Sequence, residues 1–276
     1  MQLPDYPLPV NLKIVFLASR VRTGSSYIND LAGNTGLMDA IGELFNPESN
    51  KWLNQEAMDF LKTSGLPCGK SDAELISAVR NNPVKGLGLA VRARQQNRSL
   101  AVVKLMHTCP DVKHLPSLFA IRQAHGVVFT ARKMIDCLIS FEKAKTSRTW
   151  ENLDTTDQKP EIDIASVASE FERWHEWTTT AARMAIAAAL PVGRLEYEKD
   201  ILPSARLAIA RFFEEARLKL GITGGIASFF AIQDRNTDWR KKISNPDEIE
   251  AEIRRCGLEP AYFKPFPAPD FLARLT

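Results

Sequence analysis

Short apolar runs and longer segments with helical spacing alternate along the first half of the chain. The run Lys13–Ser19 is prone to form a strand, and polar residues separate it from a stretch through Leu31 that is compatible with a helix. Two further runs with strand character, Leu100–Met106 and Gly126–Thr130, are each followed by turn residues or by charged helix formers. The order strand, helix, strand, helix predicts a sheet of parallel strands.

Helical spacing is clearest in two later segments. Ser71-Asp-Ala-Glu74 has the spacing of a capping box, which predicts a helix that begins there and ends near Asn82-Pro83. A longer helix is predicted over Glu161–Leu190, where apolar side chains recur every three or four residues. After it, Arg194–Tyr197 has the pattern of a short strand, and Pro203 marks the start of another helix.

These elements predict a single α/β domain over residues 1–276, with a parallel central sheet flanked by helices. The domain is expected to have its core over about 13–242 and a C-terminal extension over 243–276. The segment 148–160 is polar and has no period, which predicts a surface loop. The proline-rich region after Glu259 is predicted to be mobile.

Composition narrows the class of protein. With 45% hydrophobic and 25% charged residues, the chain lies in the ordinary globular range. Its four cysteines form no C-x-x-C pair, so neither a metal site nor a disulfide framework is expected, and reduced thiols favour a cytoplasmic protein. A net charge of +3 gives no reason to expect a nucleic-acid partner. The apolar runs are too short to predict a transmembrane segment.

The turn Arg22-Thr-Gly-Ser-Ser26 lies between the first predicted strand and the first predicted helix. Backbone N–H groups at the helix start and the hydroxyls of Thr23, Ser25 and Ser26 are expected to converge on an anion. The spacing differs from the G-x-x-x-x-G-K-[ST] loop of nucleoside triphosphatases, which disfavours ATP hydrolysis. A simple helix cap made of the same residue types is the alternative.

A second candidate for anion binding is the pair formed by Arg132, at the end of the third predicted strand, and Ser140, eight positions later. If the residues between them are helical, eight steps cover roughly 12 Å. An extended guanidinium and a bound phosphate together bridge such a gap. Taken alone, the two residues fit a solvated helix face just as readily.

Together these elements resemble the signature of sulfotransferases that use 3′-phosphoadenosine-5′-phosphosulfate (PAPS). In that signature, Arg-x-Gly-Ser-[Ser/Thr] between a strand and a helix holds the 5′-phosphosulfate, and a strand-ending Arg with a later Ser holds the 3′-phosphate. The chain is similar in particular to the bacterial family that includes trehalose and lipopolysaccharide sulfotransferases. Over residues 13 to 242, further elements match in order: Gly42-Glu-Leu-Phe45, Val103-Lys-Leu-Met106, Ser140-Phe-Glu-Lys-Ala144 with Trp150, Tyr197-Glu-Lys-Asp-Ile201, and Trp239 with Arg240.

The resemblance implies a P-loop-like sulfotransferase fold with helical additions. It also implies PAPS as the sulfuryl donor, adenosine 3′,5′-bisphosphate (PAP) as the product, no metal, and a carbohydrate or glycolipid as the acceptor. A homodimer is consistent with it. The residues then expected to bind the donor are Arg22, Thr23, Gly24, Ser25, Ser26, Arg132, Ser140 and Tyr197.

Four residues are candidates for the chemistry of sulfuryl transfer. Arg22 is expected to stabilise the leaving phosphate because a guanidinium stays charged at any working pH. Lys104 either assists it or only buries its alkyl stem. Glu43 is expected to be the base for the acceptor hydroxyl, and His107, three residues after Lys104, is the rival base. The sequence leaves the choice between them open.

Two other functions also stay open. A phosphotransferase or kinase would need a lysine in the anion loop and an aspartate for Mg²⁺, and neither is apparent. The other is a relative that binds a nucleotide or glycan without turnover, which Lys133 favours because the family has an aspartate there; Cys137 is a second departure from the family pattern.

The basic stretch Arg240–Lys242 either closes over the 3′-phosphate or is a solvated face.

Overall fold

The computed structural model describes residues 2–46, 55–66, 73–94, 98–107, 109, 111–150, 153–222, 225–226 and 236–275. Within these ranges the chain forms six strands and eleven α-helices. The strands are β1 (Lys13–Ser19), β2 (Asp39–Gly42), β3 (Leu100–Met106), β4 (Ala124–Lys133), β5 (Val192–Glu196) and β6 (Pro265–Phe266). The helices are α1 (Ser25–Asn34), α2 (Gln55–Thr63), α3 (Ala73–Asn81), α4 (Pro83–Arg94), α5 (Leu115–Phe119), α6 (Met134–Ser147), α7 (Ser166–Ala187), α8 (Ala205–Glu215), α9 (Pro246–Arg255), α10 (Glu259–Phe263) and α11 (Pro269–Ala273).

Five of the described strands lie side by side in the order β2-β3-β1-β4-β5, and each neighbouring pair is parallel. The central strand β1 is in register with β3 from Lys13↔Leu100 to Ser19↔Met106. Since the strands are parallel, their carboxyl ends meet at one edge of the sheet. This edge is where ligands bind in open α/β sheets.

Successive residues of the strands face two apolar layers. In β1, Ile14 and Phe16 belong to the layer that contains α5, α6 and α7, whereas Val15 and Leu17 belong to the layer that contains α1 and α8. Helices therefore cover both faces of the sheet, which confirms the predicted α/β class with a parallel sheet flanked by helices. No helix in the described ranges has both the length and the apolar character needed to cross a lipid bilayer.

The strands predicted at Lys13–Ser19 and Leu100–Met106 are confirmed with the same bounds, and the third is longer than predicted. Strand β2 is missing from the sequence prediction because its four residues are too few to show a period. The long helix begins at Ser166, five residues later than expected. The capping residue Ser71 lies outside the described residues, and α3 is described from Ala73.

The region after Glu259 is packed, so the expectation of a mobile segment is not met. Tyr262 is fully buried, and its hydroxyl donates to Val167 O at 2.5 Å. Phe266 packs against Trp174 in the core, and β6 pairs antiparallel with the carboxyl end of β4. Burial of these aromatic side chains outweighs the turn-forming tendency of the prolines.

The outer strand β5 has a protected edge. The N–H of Arg194 donates to Glu215 Oε2 at 2.8 Å, and the N–H of Glu196 donates to Asp200 Oδ2 at 2.8 Å. Both N–H groups point away from β4, so the two carboxylates satisfy donors that the sheet itself leaves unpaired.

Candidate functional site

All five parallel strands of the described sheet bring a predicted site residue to the same edge. Arg22 and its turn follow β1, and Glu43 follows the last residue of β2. Lys104 and Arg132 lie near the carboxyl ends of β3 and β4, and Tyr197 comes directly after β5. The parallel topology thus gathers residues that are far apart in the sequence.

The turn between β1 and α1 adopts a left-handed backbone conformation at two positions. Gly24, which precedes α1, has a φ of 85°, and Arg22 has a φ of 68°, which is uncommon for a residue with a side chain. Arg132 NH1 donates to Arg22 O at 2.7 Å and holds this conformation. The first N–H groups of α1 have no helical acceptors, so together with Ser25 and Ser26 they form an arrangement suited to an anion.

Gly24 also lies directly against Tyr197. A Cβ at Gly24 would come within 2.7 Å of Tyr197 Cδ2 and within 3.3 Å of Ile201 Cγ2. Both the backbone conformation and the close packing therefore require glycine at this position. The tyrosine ring forms one wall of the turn, so Tyr197 has a packing role whether or not it also contacts a ligand.

Thr23 turns its hydroxyl toward the protein interior. Its Oγ1 donates to Arg20 O at 2.8 Å and lies 2.6 Å from Thr130 Oγ1, and the residue is 1% exposed. The hydroxyl therefore ties the turn to β4, and the expectation that it converges on an anion is not met. A contribution of Thr23 to binding would have to come from its backbone N–H.

Lys104 joins the turn to Glu43. Its Nζ donates to Ser26 Oγ at 2.8 Å and to Glu43 Oε1 at 2.5 Å, and its side chain is only 3% exposed. The other carboxylate oxygen of Glu43 accepts a hydrogen bond from Asn46 Nδ2 at 2.6 Å. The ammonium thus lies at the start of α1, and Lys104 does more than bury its alkyl stem.

Arg132 is held from three sides. Besides its bond to Arg22 O, its guanidinium carbon lies 4.0 Å from the centroid of the Tyr197 ring, and its Nε lies 3.9 Å from Glu198 Oε1. The Nε atom is buried and has no hydrogen-bond partner. The guanidinium therefore retains an unsatisfied donor beside the turn.

The side chain of Arg22 extends from the turn to α6. Its Nε donates to Ser140 Oγ at 2.8 Å, and its NH1 donates to Trp150 O at 2.7 Å. Because α6 begins at Met134, most of the segment between Arg132 and Ser140 is helical, as the spacing argument requires. Arg22 thereby links the two residues: its carbonyl oxygen accepts from Arg132, and its guanidinium donates to Ser140.

His107 follows β3 but packs against the long helix α7. Its ring meets Trp174 edge to face, with the centroids 5.7 Å apart. Burial and the nearby charge of Arg20 lower the pKa of His107 to about 4, so the ring is neutral at pH 7. Whereas Glu43 bonds the ammonium of Lys104, the ring of His107 contacts Trp174 and lies near the charges of Arg20 and Glu170.

An ion pair beneath the turn was missed by the sequence reasoning. Arg20 is 1% exposed, and its NH2 donates to Glu170 Oε2 at 2.8 Å. Burial raises the pKa of Glu170, but the hydrogen bond and charge of Arg20, together with the charge of Arg173, bring the pKa below its ordinary value. The two residues are 150 positions apart, and no local pattern in the sequence connects them.

The basic stretch near residue 240 is engaged in ion pairs with other parts of the chain. Arg240 pairs with Asp247 and Glu250, and Lys242 Nζ lies 3.1 Å from Asp136 Oδ1. These contacts favour a structural role for Arg240 and Lys242 over closure on a phosphate.

No protein-family model matches this chain, and no curated protein matches it. Among the described residues, no group of three or more His, Cys, Asp or Glu side chains is arranged to hold a metal ion. The site itself consists of the turn between β1 and α1, which is suited to an anion, and of two polar clusters, one on either side of it. One cluster contains Lys104 and Glu43, and the other contains Arg22, Arg132 and Ser140.

Proposed function

We propose that this protein transfers a sulfuryl group from PAPS to a hydroxyl of a carbohydrate or glycolipid. The observation that carries the proposal is that the two polar clusters lie on either side of the turn between β1 and α1. Lys104 bonds both Ser26 and Glu43 on one side, and Arg132 and Ser140 both bond Arg22 on the other. Transfer of a sulfuryl group between two oxygens needs a base, a cation and a firmly held leaving phosphate in line.

The donor substrate is assigned to the carboxyl edge of the sheet. Its 5′-phosphosulfate binds the N–H groups at the start of α1, where Ser25 and Ser26 add hydroxyls. Its 3′-phosphate binds Arg132 and Ser140. The buried Nε of Arg132 supports this assignment, because a phosphate oxygen would supply the acceptor that this N–H lacks.

Arg22 changes partners in this proposal. Its guanidinium now donates to Ser140 Oγ, the hydroxyl assigned to the 3′-phosphate. When the phosphate takes that place at Ser140, Arg22 is released to bind the leaving 5′-phosphate. A guanidinium remains charged throughout and presents several donors to phosphate oxygens.

During transfer, the acceptor oxygen attacks the sulfur and its proton passes to Glu43. The bond between sulfur and the bridging oxygen breaks, and the electron pair leaves with PAP. Lys104 stabilises the negative charge that develops on that oxygen, because its ammonium lies between the turn and Glu43. As the carboxylate takes up the proton, its attraction to Lys104 weakens and the ammonium turns to the leaving group.

The base is assigned to Glu43 rather than to His107. The carboxylate of Glu43 bonds Lys104, which in turn bonds Ser26 of the turn. His107 instead packs on Trp174. Glu43 therefore has the better position.

Mass spectrometry tests the proposed reaction. The protein is incubated with PAPS and a panel of monosaccharides, disaccharides and glycolipids, and the products are searched for the addition of one SO₃ unit. A parallel incubation with ATP and Mg²⁺ tests for phosphoryl transfer. We expect SO₃ transfer that is strongly reduced in Glu43→Gln. Phosphoryl transfer from ATP without any binding of PAP would contradict the proposal.

A further inference from the structure

The surroundings of Arg132 carry an inference that rests on the proposed function and extends it. Arg132 already has a counter-ion, because Glu198 Oε1 lies 3.9 Å from its Nε. The two groups do not complete a hydrogen bond, since Arg132 Nε and Glu198 Oε2 are both buried without a partner. Unsatisfied buried polar atoms are rare in folded proteins, and two of them on facing side chains indicate a place where a ligand completes the bonding.

The fold fixes Glu198 at this place. It belongs to the turn Tyr197–Ile201 directly after β5, which is closed by a bond from Leu202 N to Tyr197 O at 2.7 Å. The preceding Tyr197 is clamped between Gly24 and the guanidinium of Arg132. The half-buried carboxylate is thereby held beside Arg132 Nε, the donor that is assigned to the 3′-phosphate.

Charged and titratable groups on two neighbouring elements act on Glu198. Arg132 and Lys133 belong to the end of β4, and Asp136 and Cys137 belong to the first turn of α6. Burial raises the pKa of Glu198 above its ordinary value, and Asp136 adds to the increase. A hydrogen bond from the backbone N–H of Glu198 and the positive charges of Arg132 and Lys133 lower it, but they do not cancel the effect of burial.

A phosphate monoester at Arg132 brings up to two negative charges next to this carboxylate. Close negative charges favour a proton on one of them, and a protonated Glu198 would donate its O–H to a phosphate oxygen. We propose that Glu198 is a specificity-determining residue of the donor site: it neutralises Arg132 in the free protein and takes up one proton from solvent when a 3′-phosphate binds.

The proposal makes binding of the nucleotide depend on pH in a defined direction. Affinity for PAP falls as pH rises, by at most about tenfold per pH unit while one proton is taken up per ligand. Adenosine-5′-phosphosulfate, which has no 3′-phosphate, binds without this dependence. The carboxylate of Glu198 thus lets the protein distinguish nucleotides that have a charged 3′-phosphate from nucleotides that lack one.

Titration calorimetry tests the proposal on the full chain. PAP is titrated at neutral pH in two buffers with different enthalpies of ionisation, and the difference between the observed enthalpies gives the number of protons taken up. We expect proton uptake in the natural protein and none in Glu198→Gln, whose amide replaces the protonated carboxyl. Glu196→Gln is the matched control, because Glu196 lies two residues away and pairs with Arg194. It should leave the uptake unchanged.

The outcomes separate this proposal from the proposed function. Suppose that PAP binds and that Glu198→Gln takes up as many protons as the natural protein. The proton then resides on another group, which refutes the role of Glu198 but leaves the donor site intact. If PAP binds neither protein, both proposals are refuted. A PAP affinity that falls with pH in the natural protein, but is constant in Glu198→Gln, supports both.

Discussion

Lys104 Nζ and Glu43 Oε1 lie 2.5 Å apart, although the two residues are 61 positions apart in the sequence. The contact exists because β2 and β3 are parallel neighbours whose carboxyl ends meet beside the start of α1. The same ammonium also donates to Ser26 at the start of α1 and so is bonded to the turn between β1 and α1. The ammonium and the carboxylate proposed as the base are therefore both coupled to the turn before any ligand arrives.

PAP is expected to stabilise the protein against heat much more than ATP at the same concentration. Only PAP has a 3′-phosphate for Arg132 and Ser140. A ligand that binds only the native state adds about 2.7 kcal/mol to the free energy of unfolding when its concentration is about 100 times its Kd. Scanning calorimetry measures the shift in Tm, and equal shifts for PAP and ATP would argue against the assigned phosphate site.

Replacing Arg132 by alanine is expected to weaken PAP binding by roughly 10- to 150-fold, which corresponds to one charge-assisted hydrogen bond. Binding of adenosine-5′-phosphosulfate should change much less, because it has no phosphate at that position. Calorimetry with both ligands measures the two losses. The exposed Arg206 gives a matched control, and a loss of equal size for both ligands would mean that Arg132 supports the turn rather than the phosphate.

Glu43→Gln is expected to reduce turnover by about 100- to 10,000-fold while PAP affinity stays nearly constant, because an amide cannot accept the proton. The companion variant His107→Asn should retain most of the activity. Steady-state kinetics and PAP titrations of both variants provide the comparison. The reverse pattern, with His107→Asn inactive and Glu43→Gln active, would transfer the role of base to the histidine.

Gly24→Ala is expected to lower the free energy of unfolding by more than the roughly 1–2 kcal/mol that a left-handed conformation costs an alanine. The added Cβ would also meet the Tyr197 ring at 2.7 Å. Gly36→Ala is the control, because Gly36 has a φ of 72° but a Cβ added there would meet no atom within 4 Å. Urea unfolding of the two variants separates strain from collision, and equal losses would show that Tyr197 moves aside freely.

Stability is expected to fall between about pH 7 and about pH 5, partly because of His107. Unfolded histidine titrates near pH 6.5, whereas burial holds the pKa of native His107 at about 4. In this window the unfolded state binds a proton that the native state does not, so acid favours unfolding by about 2 kcal/mol. Urea unfolding of the natural protein and of His107→Gln measures the effect, which should be smaller in the variant.

The sequence predicts those parts of the site that depend on local order. The apolar run before Arg22 and the glycine and serines after it are sufficient to predict a strand, a turn and a helix. The alternation in β3 also carries information: Leu100, Val102 and Lys104 lie on one face, so a cation continues an apolar stripe toward α1. The pattern leaves open whether Lys104 assists Arg22 or only buries its alkyl stem, and it does not reveal the bond to Ser26.

Long-range contacts account for most of what the sequence does not predict. The inward turn of the Thr23 hydroxyl depends on Thr130, which is 107 residues away. The position of His107 depends on Trp174, on a helix that forms the opposite apolar layer. Such contacts follow from how helices and strands pack, and a single sequence has no periodic signal for them.

The carboxylates that cap β5 bear on how two copies of this chain can associate. Addition of a strand from a second copy at β5 would require Glu215 and Asp200 to give up their bonds to Arg194 N and Glu196 N. Hydrogen bonds to charged groups contribute about 1.5–3 kcal/mol each, so sheet extension there would begin with a substantial loss. Self-association through a continuous intermolecular sheet is thereby disfavoured at β5.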